Sequence, residues 1–471
     1  MLTISDQTIA THVLRRCPNI KRINVHPRLR GNIDCLIRDI SASGVRIEAF
    51  DLSHHPFFPS SSMIEVGANH LLWKKTLKVL NCSKIQSLSD WDLTVISESF
   101  PALEELDISK EIDHEGFGDH CNYPGLITDD GIKALVLNLA QCLRKINVSG
   151  NHMITDESLY ALSWYCPLLS EVHVQDCGFT TEYGIASVII QRSMLTAISM
   201  LSMSLPSWAD ARALQRLHIG KTNISDDILF SIARLQLKEL CIPYCWGFSI
   251  TGLVSLLRAL PSLSHLDLSG CVFLTDKSMA LIVPHLREVT TIDLSYCSEL
   301  MELTFMCFIE CPLLEEARMK KTDLGRYRCS TLHSISMKSS NKIRTLDLSR
   351  NKHFNDETLI QISSVCPELR TVDLTFLESL GDMGFHELET LNASYSRIED
   401  EGLVTGLRRC GERLRVVDLK YSQVTKHGMI KMVNRCPRLR AVNQKWYCDF
   451  VKYIKDSLNA VTPMDDVHFS P

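Results

Sequence analysis

Four residues after a recurring apolar residue, this chain repeatedly places a carboxylate or another polar group. The series runs Asp51, Asp107, Asn147, His173, Asp267, Asp293, Asp347, Asp373, Asn392 and Asp418, with Arg318 in the same place between Asp293 and Asp347. If the chain stacks these positions side by side at the ~4.8 Å of a β-sheet, the carboxylates repel unless they are paired or solvated. Two uses of such a column are open. Each side chain can bond neighbouring backbone groups or water. Alternatively, the column is an acidic stripe that receives a basic segment of a protein partner, with Arg318 pairing with its acidic neighbours. On the second use the candidate partner-binding residues are Asp267, Asp293, Arg318, Asp347, Asp373 and Asp418. Beside them run Glu105, Glu171, Glu239 and Glu316, alternating with Lys145, Arg216 and His265, so the face is of mixed charge.

A second cluster lies in the segment 111–125, which holds Asp113, His114, Glu115, Asp119, His120 and Cys121. These residue types ligate metals, but their spacing matches no known metal motif. The segment reads as a solvated loop at one rim of the sheet, with Asp113, His114, Glu115, Asp119 and His120 as a candidate binding loop. Nothing else carries chemistry. The seventeen histidines are scattered, and there is no Gly-rich phosphate loop, Gly-x-Ser-x-Gly or His-Glu-x-x-His motif. The expectation is a binding protein, not an enzyme, with no cofactor and no metal.

The elements that must position the column are legible in the repeat. Leu263-x-x-Leu266-x-Leu268 recurs 26 residues later as Val289-x-x-Ile292-x-Leu294, and again as Ile343-x-x-Leu346-x-Leu348 and Leu369-x-x-Val372-x-Leu374. The first apolar residues are Ile20, Ile47, Leu77, Leu103, Leu143, Leu169, Leu195, Leu214, Leu237, Leu263, Val289, Leu314, Ile343, Leu369, Leu388, Leu414 and Leu439. Ten of these sixteen intervals lie within one residue of 26, so the chain is an array of one unit. Each unit predicts a short strand, with Leu266 and Leu268 inward and His265, Asp267 and Ser269 outward. A helix follows, started by Ile127-Thr-Asp, Ile154-Thr-Asp, Ile224-Ser-Asp, Leu274-Thr-Asp, Phe354-Asn-Asp or Ile398-Glu-Asp. It stops at Cys-Pro, as at Cys166-Pro167, Cys311-Pro312, Cys366-Pro367 and Cys436-Pro437. Eight residues after the first apolar residue stands Asn151, Cys177, Thr222, Cys245, Cys271, Cys297, Thr322 or Asn351, suited to bonding backbone groups of the neighbouring unit.

The composite unit Cys-Pro-x-Leu-x-x-Leu-x-Leu-x-x-Cys-x-x-Leu/Ile-Thr-Asp resembles the cysteine-containing class of leucine-rich repeats. Residues 166–177 carry it from Cys-Pro to the second Cys, and residues 261–276 from Pro to Thr-Asp. That class is typical of F-box and leucine-rich-repeat proteins, the substrate receptors of SCF ubiquitin ligases. The resemblance implies an α/β fold: a leucine-rich-repeat solenoid, or horseshoe, with a parallel concave sheet and convex helices. It also implies a protein substrate on the concave face, recognised for ubiquitin-dependent catabolism, and a cytoplasmic or nuclear location. In that family an F-box usually precedes the repeats. Here Ile4-Ser5-Asp6 already reads as a helix start inside a repeat, so an SCF adaptor and cullin are expected partners only if an F-box is supplied outside this chain. A ligase-independent scaffold on the same repeats is the alternative.

The array is expected over residues 1–444 in about seventeen strand units, with a C-terminal cap and tail over 445–471. The aromatic stretch from Trp446 reads as a capping helix and Thr462–Pro471 as structureless. The stretch His54–Trp73 is irregular, and Leu195–Leu214 and Leu369–Leu388, at 19 residues each, should lack most of their helix. Met194, Met200, Met203 and Trp208 read as packing around the first gap. The 18 cysteines follow the repeat and contain no Cys-x-x-Cys pair, which points to buried thiols in a reducing compartment. A net charge of −5 counts against a nucleic-acid partner, and no apolar run is long enough to span a membrane. Of the four glycosylation sequons, at Asn81, Asn147, Asn223 and Asn392, those at Asn147 and Asn392 fall inside expected strands.

Overall fold

The computed structural model describes residues 2–17, 19–69, 75–110, 126–201, 208, 210–301, 303–322, 324, 342–351, 353, 356–377, 384–443 and 468–470. Contacts divide the chain into two compact units, Met1–Thr222 with Arg234–Gln236, and Asn223–Ala233 with Leu237–Pro471. Each is a leucine-rich-repeat solenoid in which one strand–turn–helix block is stacked on the next.

In the first unit the strands are β1 (Leu2–Asp6), β2 (Arg22–Arg30), β3 (Ala49–Asp51), β4 (Val79–Asn81), β5 (Glu105–Asp107), β6 (Lys145–Asn147), β7 (Glu171–Val174), β8 (Ala197–Leu201) and β9 (Arg216–Gly220). Each is parallel to the next. In the second unit they are β10 (Glu239–Cys241), β11 (His265–Asp267), β12 (Thr291–Asp293), β13 (Glu316–Arg318), β14 (Thr345–Asp347), β15 (Thr371–Asp373), β16 (Thr390–Asn392), β17 (Val416–Asp418), β18 (Ala441–Asn443) and β19 (His468–Ser470), again parallel in order. A parallel neighbour requires a crossover, and in most of the described blocks a helix supplies it. From β3 to β18 each strand begins two residues after the recurring apolar residue, so the 26-residue repeat is the spacing of the ladder.

The core follows from the alternation of the strands. Leu266 stands opposite Leu240 and Ile292 and is fully buried, as is Leu268. His265 and Asp267 are half-buried, but Ser269, expected to face out, is 8% exposed. The chain has left the strand by then and is turning across its neighbours.

Three local devices join the blocks. At the helix end, the Cys166 carbonyl accepts from the Leu169 N–H at 3.2 Å, with Pro167 between them, and Cys366 and Leu369 repeat the bond at 3.3 Å. Phe100-Pro101 and Leu260-Pro261 make the same turn, so a buried apolar group suffices there and the thiol is not required.

At the helix start, the hydroxyls of Thr128, Thr155 and Thr181 accept from backbone N–H groups of the first turn, as the sequence implies. The aspartates do more than favour the helix dipole. Asp129 accepts from the Thr155 N–H and Oγ1 of the next block at 3.0 and 2.7 Å, and Asp156, Asp226 and Asp400 hold Thr181, Ser249 and Thr425 in the same way. Thr-Asp is therefore a clamp between successive helices.

At the strand exit, Asn151 Nδ2 donates to the Ile108 and Val148 carbonyls at 3.0 and 2.8 Å, and Asn351 does the same to Met319 and Leu348. The thiols of Cys177 and Cys297 donate to the carbonyls of Val148 and Leu268 at 3.3 Å. Burial pushes both thiols up to about 12, so they stay protonated as donors. Most other described cysteines are buried as well, but Cys17 is exposed and Cys35, Cys142, Cys241 and Cys307 are half-buried.

Several expectations need correction. The stretch after His54 is not irregular throughout: Ser60–Asn69 is a helix in the ordinary crossover place. Phe58 is buried at its approach and Phe57 is 49% exposed. Within the expected span of the array, a strand precedes the helix capped by Asp6, one more than the seventeen counted from Ile20. Within the tail, His468–Ser470 pairs with β18, and the expected capping helix from Trp446 lies outside the described residues. The expected loss of the helix between β8 and β9 and between β15 and β16 falls largely on residues 202–207, 209 and 378–383, which lie outside the described residues. At the first gap Met200 and Trp208 are buried, Met194 is 69% exposed, and Met203 lies outside the described residues. Among the described residues no helix is long and apolar enough to cross a membrane.

Candidate functional site

The ladder does bring the acidic column together. In the second unit Asp267 pairs in register with Asp293, Asp293 with Arg318, Arg318 with Asp347 and Asp347 with Asp373. Asn392 then separates Asp373 from Asp418. All six candidate residues are half-buried on one face of the sheet.

Hydrogen bonds show what most of the charge is doing. One carboxylate oxygen of Asp267, Asp293, Asp347, Asp373 and Asp418 accepts the N–H two residues on, at 2.8–3.1 Å. Asn147 and Asn392 make the same turn with their amide oxygens. The second oxygen of Asp373 accepts from Asn392 at 2.8 Å and that of Asp418 from Asn443 at 3.0 Å. Arg318 lies 3.8 Å from Asp293 and 2.6 Å from Glu316. Burial raises the Asp293 carboxyl above its ordinary value, against the pull of its bonds from Ser295. The column is thus first a set of turn-forming side chains. Asp267 and Asp347 keep an oxygen for which no partner is recorded among the described residues.

The first unit carries a different arrangement on the same side of its sheet. Lys145 lies 3.4 Å from Glu105 and 3.2 Å from Glu171, and Arg216 lies 2.6 Å from Glu171. The alternation of acid and base read along the sequence is an ion chain across β5, β6, β7 and β9. It borders a recess of about 300 Å³ lined also by Asn81, Asp107, Asn147 and His173. His173 bonds the Ser199 hydroxyl at 2.7 Å, and burial holds its imidazole below the ordinary value. Three carboxylates, Glu105, Asp107 and Glu171, stand there beside two bases, Lys145 and Arg216, so acid exceeds base by one.

The candidate binding loop with Asp113, His114, Glu115, Asp119 and His120 lies outside the described residues. Among the described residues no three or more His, Cys, Asp or Glu side chains converge as metal ligands.

One feature of the site was missed from the sequence. The residue seven after most of the first apolar residues takes a left-handed backbone, Pro27 and Lys110 being exceptions: His54, Lys84, Asp176, Lys221, Tyr244, Tyr296, Lys321, Arg350, Phe376, Tyr395 and Tyr421 have φ between 50° and 66°. Such a conformation costs a non-glycine residue about 1–2 kcal/mol. In the second unit these side chains form a row. Phe376, Tyr395 and Tyr421 stack at 5.1 and 4.6 Å, Arg350 lies 5.0 Å over Phe376, and Lys321 lies 5.5 Å from Tyr296. Gly270 has φ 70°, and a Cβ there would meet the Tyr244 ring at 2.2 Å, so its bareness lets Tyr244 reach within 5.8 Å of Tyr296. The signal was present as aromatic and basic residues at one repeat position, but only the backbone torsion shows that they are unusual there.

The family model described as Leucine Rich repeat matches residues 140–163 and 259–283. Among solved structures the chain is similar to the crystal structure of the Rad7 and Elc1 complex in yeast. The identity is 13%, over 78% of this chain and 88% of that one, with a TM-score of 0.43. It is also similar to a TLR13–ssRNA13 complex at 14% identity, over 92% of this chain and 58% of that one, with a TM-score of 0.41. At such distances neither likeness bears on what this chain binds.

Proposed function

We propose that the chain is a protein-binding repeat domain that selects a substrate for ubiquitin-dependent proteolysis, as the recognition part of an SCF-type ubiquitin ligase. The observation that carries the binding reading is the register of β10–β18, which sets one row of polar side chains across successive blocks. A row of that kind meets a protein surface or an extended segment at many points, with affinity spread over several blocks. The ligase assignment rests on the Cys-Pro and Thr-Asp punctuation of the repeat and its resemblance to F-box leucine-rich-repeat proteins. It requires an F-box supplied outside this chain to engage the adaptor and cullin.

The test is affinity purification of the complete transcript product from cells, scored for adaptor and cullin. Their recovery, with a protein that accumulates when the chain is depleted, is the expected result. A stable protein partner without adaptor or cullin would replace the ligase reading with a ligase-independent scaffold.

A further inference from the structure

We propose that the stacked aromatic and cationic side chains at the strand exits of the second unit form a docking rail for an extended, acidic segment of a partner protein. The inference rests on the protein-binding reading and specifies the chemistry of the partner. The rail comprises Tyr244, Tyr296, Lys321, Arg350, Phe376, Tyr395 and Tyr421, one from each block of β10 to β17 except that of Gly270.

The backbone explains the torsion but not the side chains. From Tyr244 to Tyr395 each left-handed side-chain-bearing residue of the rail points its N–H at the next block: Tyr244 to the Ser269 carbonyl at 2.6 Å, Arg350 to Thr375 at 2.8 Å, Tyr395 to Lys420 at 2.7 Å. Glycine makes that turn at no steric cost, as Gly150 and Gly270 do here. Large rings and cations hold the position in every other block of the second unit, so a reason beyond the turn is needed. Stacking supplies part of one. It does not explain the exposure, which is 41% for Tyr244, 42% for Phe376 and 48% for Tyr395.

The exposed chemistry is of one sign. Rings stacked on each other spend their faces and leave solvent their edges, which carry the positive end of the ring quadrupole. Tyrosine hydroxyls donate hydrogen bonds from those edges. Lys320, Lys321 and Arg350 add full charges, and among the described residues none of the three is within ion-pair distance of a carboxylate. A row of donors, positive edges and cations is complementary to carboxylates.

A polypeptide fits better than a nucleic acid. Single strands bind by stacking bases on free ring faces, and centroids 4.6 and 5.1 Å apart leave no gap for a base. The neighbouring aspartate column also repels a continuous phosphate backbone. An extended peptide turns alternate side chains to opposite sides, so its acids can face the rail and its other residues the column.

The test uses the full chain and fluorescence anisotropy with short labelled peptides that alternate threonine with glutamate, glutamine or lysine, and with a single-stranded RNA of similar length. The glutamate peptide is expected to bind about tenfold or more tightly than the glutamine one, a difference of about 1.4 kcal/mol, and to weaken with salt. Arg350→Glu and Tyr395→Gly should each abolish that preference. Tyr395→Gly suits the left-handed backbone, so an unchanged thermal unfolding curve separates lost binding from lost folding. Equal affinity for the glutamate and glutamine peptides, tighter binding of the RNA, or indifference to both variants would overturn the proposal. If the variants still retain a cellular partner while the peptides fail, the rail falls and the protein-binding reading stands.

Discussion

Asp347 shows how much one side chain can conceal. From the sequence its charge is the obvious property, and in the fold its Oδ1 is a turn acceptor for the Ser349 N–H at 2.9 Å. The two roles separate by substitution. Asp347→Asn keeps the acceptor, as Asn147 and Asn392 do naturally, and should leave thermal stability unchanged while weakening any basic partner. Asp347→Ala leaves the N–H unpaired and should cost about 1–2 kcal/mol in denaturant titration. If the asparagine variant unfolds as readily as the alanine one, the turn role assigned to the column is wrong. The buried thiols of Cys177 and Cys297 differ: their place in the repeat already marked them for bonding the backbone of a neighbouring block, and the structure adds the acceptors, the Val148 and Leu268 carbonyls.

The helix start is the element at which sequence reading was right and incomplete. Thr155 caps its own helix, and Asp129 of the block before binds Thr155 and Ser158. Burial pushes the Asp129 carboxyl up, but the bonds from Ser158 and Thr155 outweigh it and hold the group below its ordinary value; Asp400 is held low by Thr425. A folded-state value below the unfolded one stabilises the protein above roughly pH 4, and that stability is lost as pH falls through the depressed value. Asp129→Asn should therefore cost about 1 kcal/mol at neutral pH, screening keeping the figure low, and progressively less in acid. Urea midpoints at neutral and acid pH check this, and an equal cost at both would remove the charge from the account. The clamp was not legible because its two halves lie 26 residues apart and only stacking makes them neighbours.

At the scale of the whole molecule, the periodic leucines carry the fold. Leu266 is fully buried between Leu240 and Ile292, and its removal from the core forfeits roughly 2 kcal/mol before any charge is buried. Leu266→Asp should lower stability by about 4 kcal/mol or more and disturb both flanking blocks, read as lost amide protection in β10 and β12. An unchanged thermal unfolding curve would refute the register. The sequence alone determined the repeat, the strand positions from β3 to β18 and the helix starts at Thr128, Thr155, Ser225, Thr275 and Glu399, because a solenoid writes one local pattern many times and each copy confirms the others. It also located the acidic column, since alternation in a strand is a local property. Only the tertiary structure decided what that column and its neighbours do. Whether a carboxylate serves a turn or a partner, and whether a tyrosine sits in an ordinary or a left-handed backbone, depends on groups delivered by the next block, and no spacing within one block records them.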